Sequence, residues 1–502
     1  MAVQDFTWFD VVRRTAAIYP AATALTFEGR RLTHRDLLAR AEALAGGLAR
    51  AGVSRGDRVA VVAQNRPEFI DLLAASARLG AILLPVNWRL GAEEIAYVLA
   101  DGAPTIVVAG PEFRPLLDPL RGQLASVRGW FELDTPTAPF TAYSELASCG
   151  DPAPTVPVLP GDALVIIHTA AVGGQPRGAV LSHGNLLAHN LQLALAWGLG
   201  PGDVALCALP LFHISGLGLA LAAQQAGAAS VVMRRFEAAA AADVIAAERA
   251  TVLCEFAPML GQILDAAVGR EEVLGSLKAV WGLDSPETIA RFESTCPGAR
   301  FWAGYGQSET SGYVTFSPHS ERPGSAGRPT ALALVDIVDE EDRPVPAGLV
   351  GEIVVRGPLV FNGYWNREAE TIRAGWHHTG DLGRCDQDGY LFYAGRSPAK
   401  ELIKSGGENI YPAEVERALQ DHPEIAAAVV VGVADARWGE TVKAVCVRRP
   451  GGTVEAVELI EFAGSRIARF KRPKLVVFVD ALPLTPSGAI DRAAVKAEHG
   501  GA

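Results

Sequence analysis

Residues His378–Pro412 read HTGDLGRCDQDGYLFYAGRSPAKELIKSGGENIYP, and the rest of the chain is organised around them. An acidic residue sits in a glycine turn (Thr379, Gly380, Asp381), an arginine follows a short apolar run (Gly395, Arg396), and a second glycine turn carries polar flanks (Ser405, Gly406, Gly407, Glu408, Asn409). A carboxylate at Asp381 can accept both hydroxyls of a ribose, and a guanidinium at Arg396 can donate to the same sugar or to its phosphate. Ser397–Lys400 interrupts the apolar pattern where a hinge would sit. Alone, Asp381 or Arg396 reads as part of an ordinary surface turn or hairpin. Together with Gly406–Gly407 and the helix start at Tyr411–Pro412, they read as one ligand-contacting connector.

Upstream of this connector the pattern alternates. From Thr33, Leu37, Leu38, Ala41, Leu44, Ala45 and Leu48 recur at helical spacing, with Thr33 and Asp36 as a capping pair. Val59–Ala63, Ile82–Val86 and Thr105–Ala109 read as buried strands, separated by helices over Pro67–Leu79 and Ala92–Ala100. The spacing predicts parallel β-α-β construction. The alternation resumes through Ala229–Met233, Ala238–Glu248, Thr251–Phe256 and Pro258–Leu264, which predicts a second parallel layer. Residues 110–160 lack periodicity and read as a connection between subdomains. Beyond the connector, helical Pro412–Gln420, strand-like Ala426–Val433 and Val442–Val447, helical Val457–Phe470 and the strand Lys474–Val479 predict a compact α+β unit.

Three further stretches carry chemistry. Thr169–Gly178 reads TAAVGGQPRG directly after a strand; its backbone N–H groups can cradle phosphates, and Arg177 can neutralise them. It has neither the nucleotide-hydrolase P-loop spacing nor the dinucleotide GxGxxG pattern. Pro210–Gly216 reads PLFHISG, where His213 is either a packed core histidine or a group that orients an acyl chain at a tunnel mouth. Phe301–Gly312 reads FWAGYGQSETSG: Tyr305 can stack on a base, Glu309 can hold Mg²⁺, and Thr310 can bond a phosphate.

These motifs, in this order and over nearly the whole chain, resemble those of the adenylate-forming enzymes: acyl-CoA synthetases, peptide-synthetase adenylation domains and luciferases. The resemblance implies an α/β fold with a large N-terminal domain (1–396) of mainly parallel sheets with flanking helices, a mobile hinge (397–400, with Lys400) and a small α+β C-terminal domain (401–502). It implies that Asp381 binds ribose, Arg396 binds ribose or phosphate, and Thr169, Gly174, Arg177 and Tyr305 contact the nucleotide. Glu309 and Thr310 would serve catalysis, with Glu309 as the Mg²⁺ ligand, while His213, Gly406 and Gly407 would line the acyl and pantetheine route. ATP, Mg²⁺ and CoA are the implied cofactors and cosubstrates, and a carboxylic acid, fatty or aromatic, the substrate.

Three departures stand out. The phosphate loop resembles Y-T-S-G-T-T-G-x-P-K-G at Thr169, Gly174, Pro176 and Gly178, but Ala170–Gly173 removes hydroxyls and Arg177 replaces a lysine. Val280–Asp284 reads VWGLD where the family has small residues against adenine. Pro483–Arg492 reads PLTPSGAIDR, with Ala489 where the family has the lysine that bridges carboxylate and α-phosphate. Natural divergence and an engineered replacement both account for Ala489; the degenerate phosphate loop favours the first, the intact Pro486–Gly488 the second. Loss of one preorganised electrostatic donor costs on the order of 10²–10³ in rate. The readings left open are therefore a CoA ligase impaired in adenylation, a transfer to a carrier-protein thiol, and a noncatalytic family member that binds acyl-adenylate, nucleotide or CoA.

Composition bounds the alternatives. The 502 residues carry a formal net charge of -11, which disfavours nucleic acid as a partner. The basic run Arg466, Arg469, Lys471, Arg472 and Lys474 reads equally as a solvated helix end and as a contact for CoA phosphates. Six scattered cysteines without metal-ligand spacing fit free thiols in a reducing cytoplasm. Neither a signal peptide nor a membrane-length apolar run is visible, and a homodimer is compatible with the sequence.

Overall fold

A computed structural model describes residues 5–148, 150–169, 176–367, 371–396, 402–406, 408–435, 438–484 and 490–500. Two large sheets form its N-terminal part. One has eight strands and the other seven, and the strand pairs inside each are mostly parallel. Helices Trp8–Ile18, His34–Arg50, Glu68–Leu79, His183–Trp197 and Ile214–Ala226 contribute to one core cluster that takes in a face of each sheet. The outer faces are covered separately, by Ala238–Glu248, Met259–Ala266 and Pro286–Thr295 on the eight-stranded sheet and by Ala92–Gly102 with Arg114–Leu117 on the other.

Local chemistry explains where these elements begin. Thr33 and Asp36 form the expected reciprocal cap, the Thr33 hydroxyl accepting from Asp36 N at 3.1 Å and the Asp36 carboxylate from Thr33 N at 2.8 Å. The helix then buries Leu37, Ala41, Leu44 and Leu48 at a spacing of three and four. Cutting such a leucine to alanine costs about 2–5 kcal/mol.

The connection expected over 110–160 is in fact structured. Gly129–Glu132 and Thr141–Ala142 pair in parallel at the edge of the seven-stranded sheet, with helix Tyr143–Ala147 behind them. Trp130 and Phe131 point to opposite cores. Gly129–Glu132 reads GWFE, without the unbroken apolar run of Ile106–Ala109, and Thr141–Ala142 is only two residues long, so neither stands out in the sequence.

A third, antiparallel sheet holds Leu334–Val338, Gly351–Arg356, Trp376–Cys385 and Leu391–Arg396. Its last pairing sets Asp381 directly across from Arg396. The hairpin Ile425–Asp435/Gly439–Arg448 then builds a fourth sheet with helices Pro412–Gln420 and Ala456–Arg466 and the parallel strand Leu475–Phe478. This unit touches the N-terminal part through buried charge. Lys471, which is 2% exposed, bonds Glu414 of its own unit at 2.7 Å and Glu94 of helix Ala92–Gly102. Glu94 also accepts from Ala468 N at 2.9 Å. Lys471 is thus withdrawn from the basic run, buried between two carboxylates, whereas Arg469 and Lys474 stay exposed, Lys474 3.7 Å from Asp435. Among the described residues, no helix is long and apolar enough to cross a membrane.

Candidate active site

The strands Arg300–Gln307 and Gly312–Pro318 meet at the tight turn Ser308–Thr310. The backbone crowds there: a Cβ on Gly306 would lie 1.8 Å from Gly312 O, so only glycine lets the strands close. Thr310 is fully buried, and its hydroxyl serves the turn, donating to Gly312 O at 2.7 Å and accepting from Gln307 N at 2.9 Å.

Glu309 projects from the same turn. Its Oε1 accepts from the Thr169 hydroxyl at 3.2 Å and from the Tyr364 hydroxyl at 2.9 Å. Arg177, at the start of the strand Arg177–Ser182, lies with its guanidinium carbon 5.5 Å from the Tyr364 ring centroid. Two residues far apart in sequence, Thr169 and Tyr364, thus bond one carboxylate, with Arg177 beside the second. Burial, reinforced by that carboxylate, pushes the Tyr364 hydroxyl pKa well up, so it stays a donor.

Asp381 forms the second group. Its Oδ2 accepts from the Tyr305 hydroxyl at 2.7 Å and from Gln307 Nε2 at 2.6 Å, and its Oδ1 lies 2.8 Å from Arg396 Nε. Tyr305 is buried and near-parallel to Tyr393, with ring centroids 6.2 Å apart. Arg396 reaches on to the Tyr411 hydroxyl at 3.3 Å.

The third group joins the two parts of the chain. His213 begins helix Ile214–Ala226 and is half-buried rather than packed in the core; its Nε2 stands 3.4 Å from Glu408 Oε2. Arg89 bonds the other Glu408 oxygen at 2.5 Å. Burial works to raise the Glu408 pKa, but His213 and Arg89 outweigh it and hold the carboxyl at about 2. Gly406 turns the hairpin that carries Glu408, and its N–H donates to Trp438 O at 3.0 Å. Gly174, Lys400, Gly407 and Ala489 lie outside the described residues. Arg492, just past Ala489, pairs with Glu416 at 2.6 Å and donates to Val430 O, both within the C-terminal unit.

Sequence reading missed Gln307, Tyr364 and the Arg89–Glu408 pair. Gln307 and Tyr364 lie inside the YGQSET and GEIVVRGPLVFNGYW runs, so their positions carried a signal. Arg89 carried none. A cavity beside the turn is lined by Ile214 and Ser215 of the Pro210–Gly216 segment together with His189, Trp197, Cys254, Trp281 and Tyr313. Trp281 and Tyr313 press together at 4.0 Å between ring centroids, leaving about 10 Å³ for a water centre, room for about one molecule.

Among the described residues, no cluster of three or more His, Cys, Asp or Glu could hold a metal by itself. A single buried carboxylate beside a phosphate-type loop still fits Mg²⁺, which commonly takes one or two protein carboxylates and completes its shell with substrate phosphates and water.

A two-part α/β chain with a carboxylate turn, a paired Asp381 and Arg396 and a hairpin docked across the cleft is the architecture of an adenylate-forming enzyme. The AMP-binding enzyme family matches residues 12–365 and the AMP-binding enzyme C-terminal domain matches residues 414–489; the chain belongs to this family. It is 38% identical to an indoleacetate–CoA ligase of Aromatoleum aromaticum, covering 96% of each chain. It is 36% identical to a feruloyl-CoA synthase of Amycolatopsis, covering 97% of this chain and 98% of the relative. Among solved structures, an o-succinylbenzoate CoA synthetase from Bacillus subtilis superposes with a TM-score of 0.86 at 28% identity, over 98% of this chain and 99% of the other.

Proposed function

We propose that the chain is an AMP-forming carboxylic acid–CoA ligase acting on an aromatic or fatty acid, with adenylation slowed by Ala489. The observation that carries this reading is the pairing of Glu309 with Thr169 and Tyr364 beside the Asp381–Arg396–Tyr305 group, which gathers the phosphate-type and ribose-type residues into one cleft. Relatives named as indoleacetate– and feruloyl-CoA-forming enzymes support the aromatic half of the substrate range, and relatives named for long-chain fatty acids support the other half.

A carboxylate resists thiol attack because it is anionic and lacks a good leaving group. In the first half-reaction a carboxylate oxygen of the acid bonds to the α-phosphorus of ATP and pyrophosphate departs. Asp381 and Arg396 hold the ribose, Tyr305 lies against the base, and Arg177 with the Thr169 edge of the loop receives the phosphates. Glu309 would hold Mg²⁺, which supplies charge neutralisation to the phosphates when bound. Thr310 keeps the turn closed and reaches the α-phosphate by turning its hydroxyl. In the second half-reaction the CoA sulfur bonds to the acyl carbon, AMP leaves, and the thiol proton is lost. The C-terminal unit swings about a hinge at Lys400, domain 1–396 on one side and 401–502 on the other. The docked hairpin with Gly406–Gly407 and Glu408, facing His213, forms the pantetheine route.

A noncatalytic role in binding acyl-adenylate, nucleotide or CoA is the second reading, favoured by Ala489 and by the missing hydroxyls at Ala170–Gly173. The deciding experiment measures ATP- and CoA-dependent thioester formation over short, medium, long and aromatic acids, for the chain as it is and for Ala489→Lys. Thioester from either protein supports the ligase, and the acid that forms it fastest names the substrate. No thioester from both, with acyl-adenylate or nucleotide still bound, supports the binding role.

A further inference from the structure

The cavity beside the Ser308–Thr310 turn is walled by polar atoms with nothing to bind. His189 is 2% exposed, and both of its ring nitrogens lack a hydrogen-bond partner among the described residues, as do the indole nitrogens of Trp197 and Trp281. Its neighbour Asn190 donates through Nδ2 to Gln225 Oε1 at 3.0 Å, while its own Oδ1 lies close enough to His189 to favour the protonated ring without forming a well-aligned hydrogen bond. Burial pushes the His189 pKa down to about 4, so the ring is neutral in ordinary buffers and offers one donor and one acceptor.

The fold makes room for this ring at some expense. A Cβ on Gly312, whose φ is +121°, would lie 2.2 Å from His189 Nε2, and a Cβ on Gly218 would lie 3.0 Å from Cε1. An imidazole seated between two glycines, with Asn190 its one polar neighbour among the described residues and no well-aligned hydrogen bond, is a poor core residue, because leucine or phenylalanine would fill such a space without leaving polar atoms unpaired. Its position gives it a use. Gly312 pairs with Gln307 and Tyr313 with Gly306, so the cavity begins within a residue or two of the turn that carries Glu309 and Thr310. An acid with its carboxylate at that turn extends its other end toward His189. The remaining walls are mainly apolar, Leu193 and Leu219 among them, with Ser215 and Tyr313 carrying hydroxyls, and the rings of Trp281 and Tyr313 must part to admit anything larger than about one water.

We propose that His189 is a specificity-determining residue for the acid, hydrogen-bonding a hydroxyl or ring N–H on an aromatic carboxylic acid whose carboxylate faces the Ser308–Thr310 turn. This rests on the acid-activating reading above and narrows it from fatty or aromatic acids to aromatic acids bearing a polar ring group. A site built to bond such a group discriminates strongly against the analogue that lacks it, because its own polar atoms are then left unpaired.

The test uses nonhydrolysable acyl-adenylate analogues, so that slow adenylation at Ala489 does not enter. Acyl-sulfamoyl adenosines in two matched pairs, 4-hydroxyphenyl against 4-methylphenyl and indolyl against naphthyl, are titrated calorimetrically into the full chain, with sulfamoyl adenosine as reference. The wild-type protein is expected to bind the polar member of at least one pair about tenfold or more tightly. His189→Leu should bring that pair to within about twofold, with His189→Phe as the substitute if the leucine variant does not fold. His189→Gln, which keeps a donor and an acceptor, should retain part of the preference, and the wild-type preference should hold from pH 6 to 9. No preference in either pair, a preference that survives in the leucine or phenylalanine variant, or acyl analogues no tighter than sulfamoyl adenosine would each overturn the role of His189. Failure of every adenosine compound to bind would instead overturn the acid-activating reading itself.

Discussion

The polar cluster around Asp381 and the cavity around His189 lie on either side of the same pair of strands, yet they are built on opposite terms. Around Asp381, Oδ2 accepts from Tyr305 and Gln307 and Oδ1 is ion-paired with Arg396, while Oδ1 and Arg396 Nε make no hydrogen bond among the described residues. Around His189 four polar atoms on three side chains have neither a hydrogen bond nor an ion pair there. A group already bonded and ion-paired is held in place before any ligand arrives, which suits recognition of a part common to every substrate. An unsatisfied one gains most from the ligand that completes it, which suits discrimination.

The largest effect expected from probing this contrast comes from Ala489→Lys, which should raise the rate of adenylation on the order of 10²–10³, read as acid-dependent pyrophosphate release. Nucleotide affinity should change little, because the substitution leaves Asp381 and its partners unaltered; a large gain in ATP affinity would break the comparison. Next is Asp381→Ala, which leaves Arg396 unpaired and should weaken ATP or AMP binding by about 2 kcal/mol or more, measured calorimetrically, with the thermal midpoint showing that the chain still folds. Unchanged affinity would remove the ribose assignment.

Smaller effects concern the docking that closes the cleft. Glu94→Gln leaves Lys471 with Glu414 alone and should loosen the C-terminal unit by about 1–2 kcal/mol, seen as faster proteolysis near residue 400 and a larger radius of gyration. The smallest is a pH effect at Glu414, whose pKa burial pushes up to about 7 despite the attraction of Lys471. An acid with a raised folded pKa binds more protons folded than unfolded, so its contribution to stability is full at low pH and declines as pH rises from the ordinary glutamate range through about 7. Glu414→Gln should flatten the denaturation midpoint across that window; a slope equal to the wild type's would assign the dependence to other groups.

The two regions also differed in how far they could be read from sequence. The Asp381 cluster was legible because its members fall in short runs, TGD, GR and YGQSET, whose residue order survives without knowledge of the fold. The β-α-β alternation was legible for the same reason: strands of four or five residues and helices of eleven or more repeat their own periodicity. His189 was not, because it is one polar residue in an otherwise unexceptional helix and acquires meaning only against Gly312, 123 residues further on (312 − 189). The Glu94–Lys471 contact spans 377 positions and reads from sequence as two unrelated surface charges. The edge strands within 110–160 were missed because GWFE is not an unbroken apolar run and Thr141–Ala142 is only two residues long.

Arg396 ends its strand directly opposite Asp381, and the stretch leading to the C-terminal unit starts at the next residue. The pairing acts as the last tooth of a zip: while it is closed, the strand above cannot peel away, and any swing of the C-terminal unit must begin below it. A ligand gripping Asp381 and Arg396 together would therefore fix the pivot as well as itself, so that a loaded cleft and an empty one would set different starting points for the same movement.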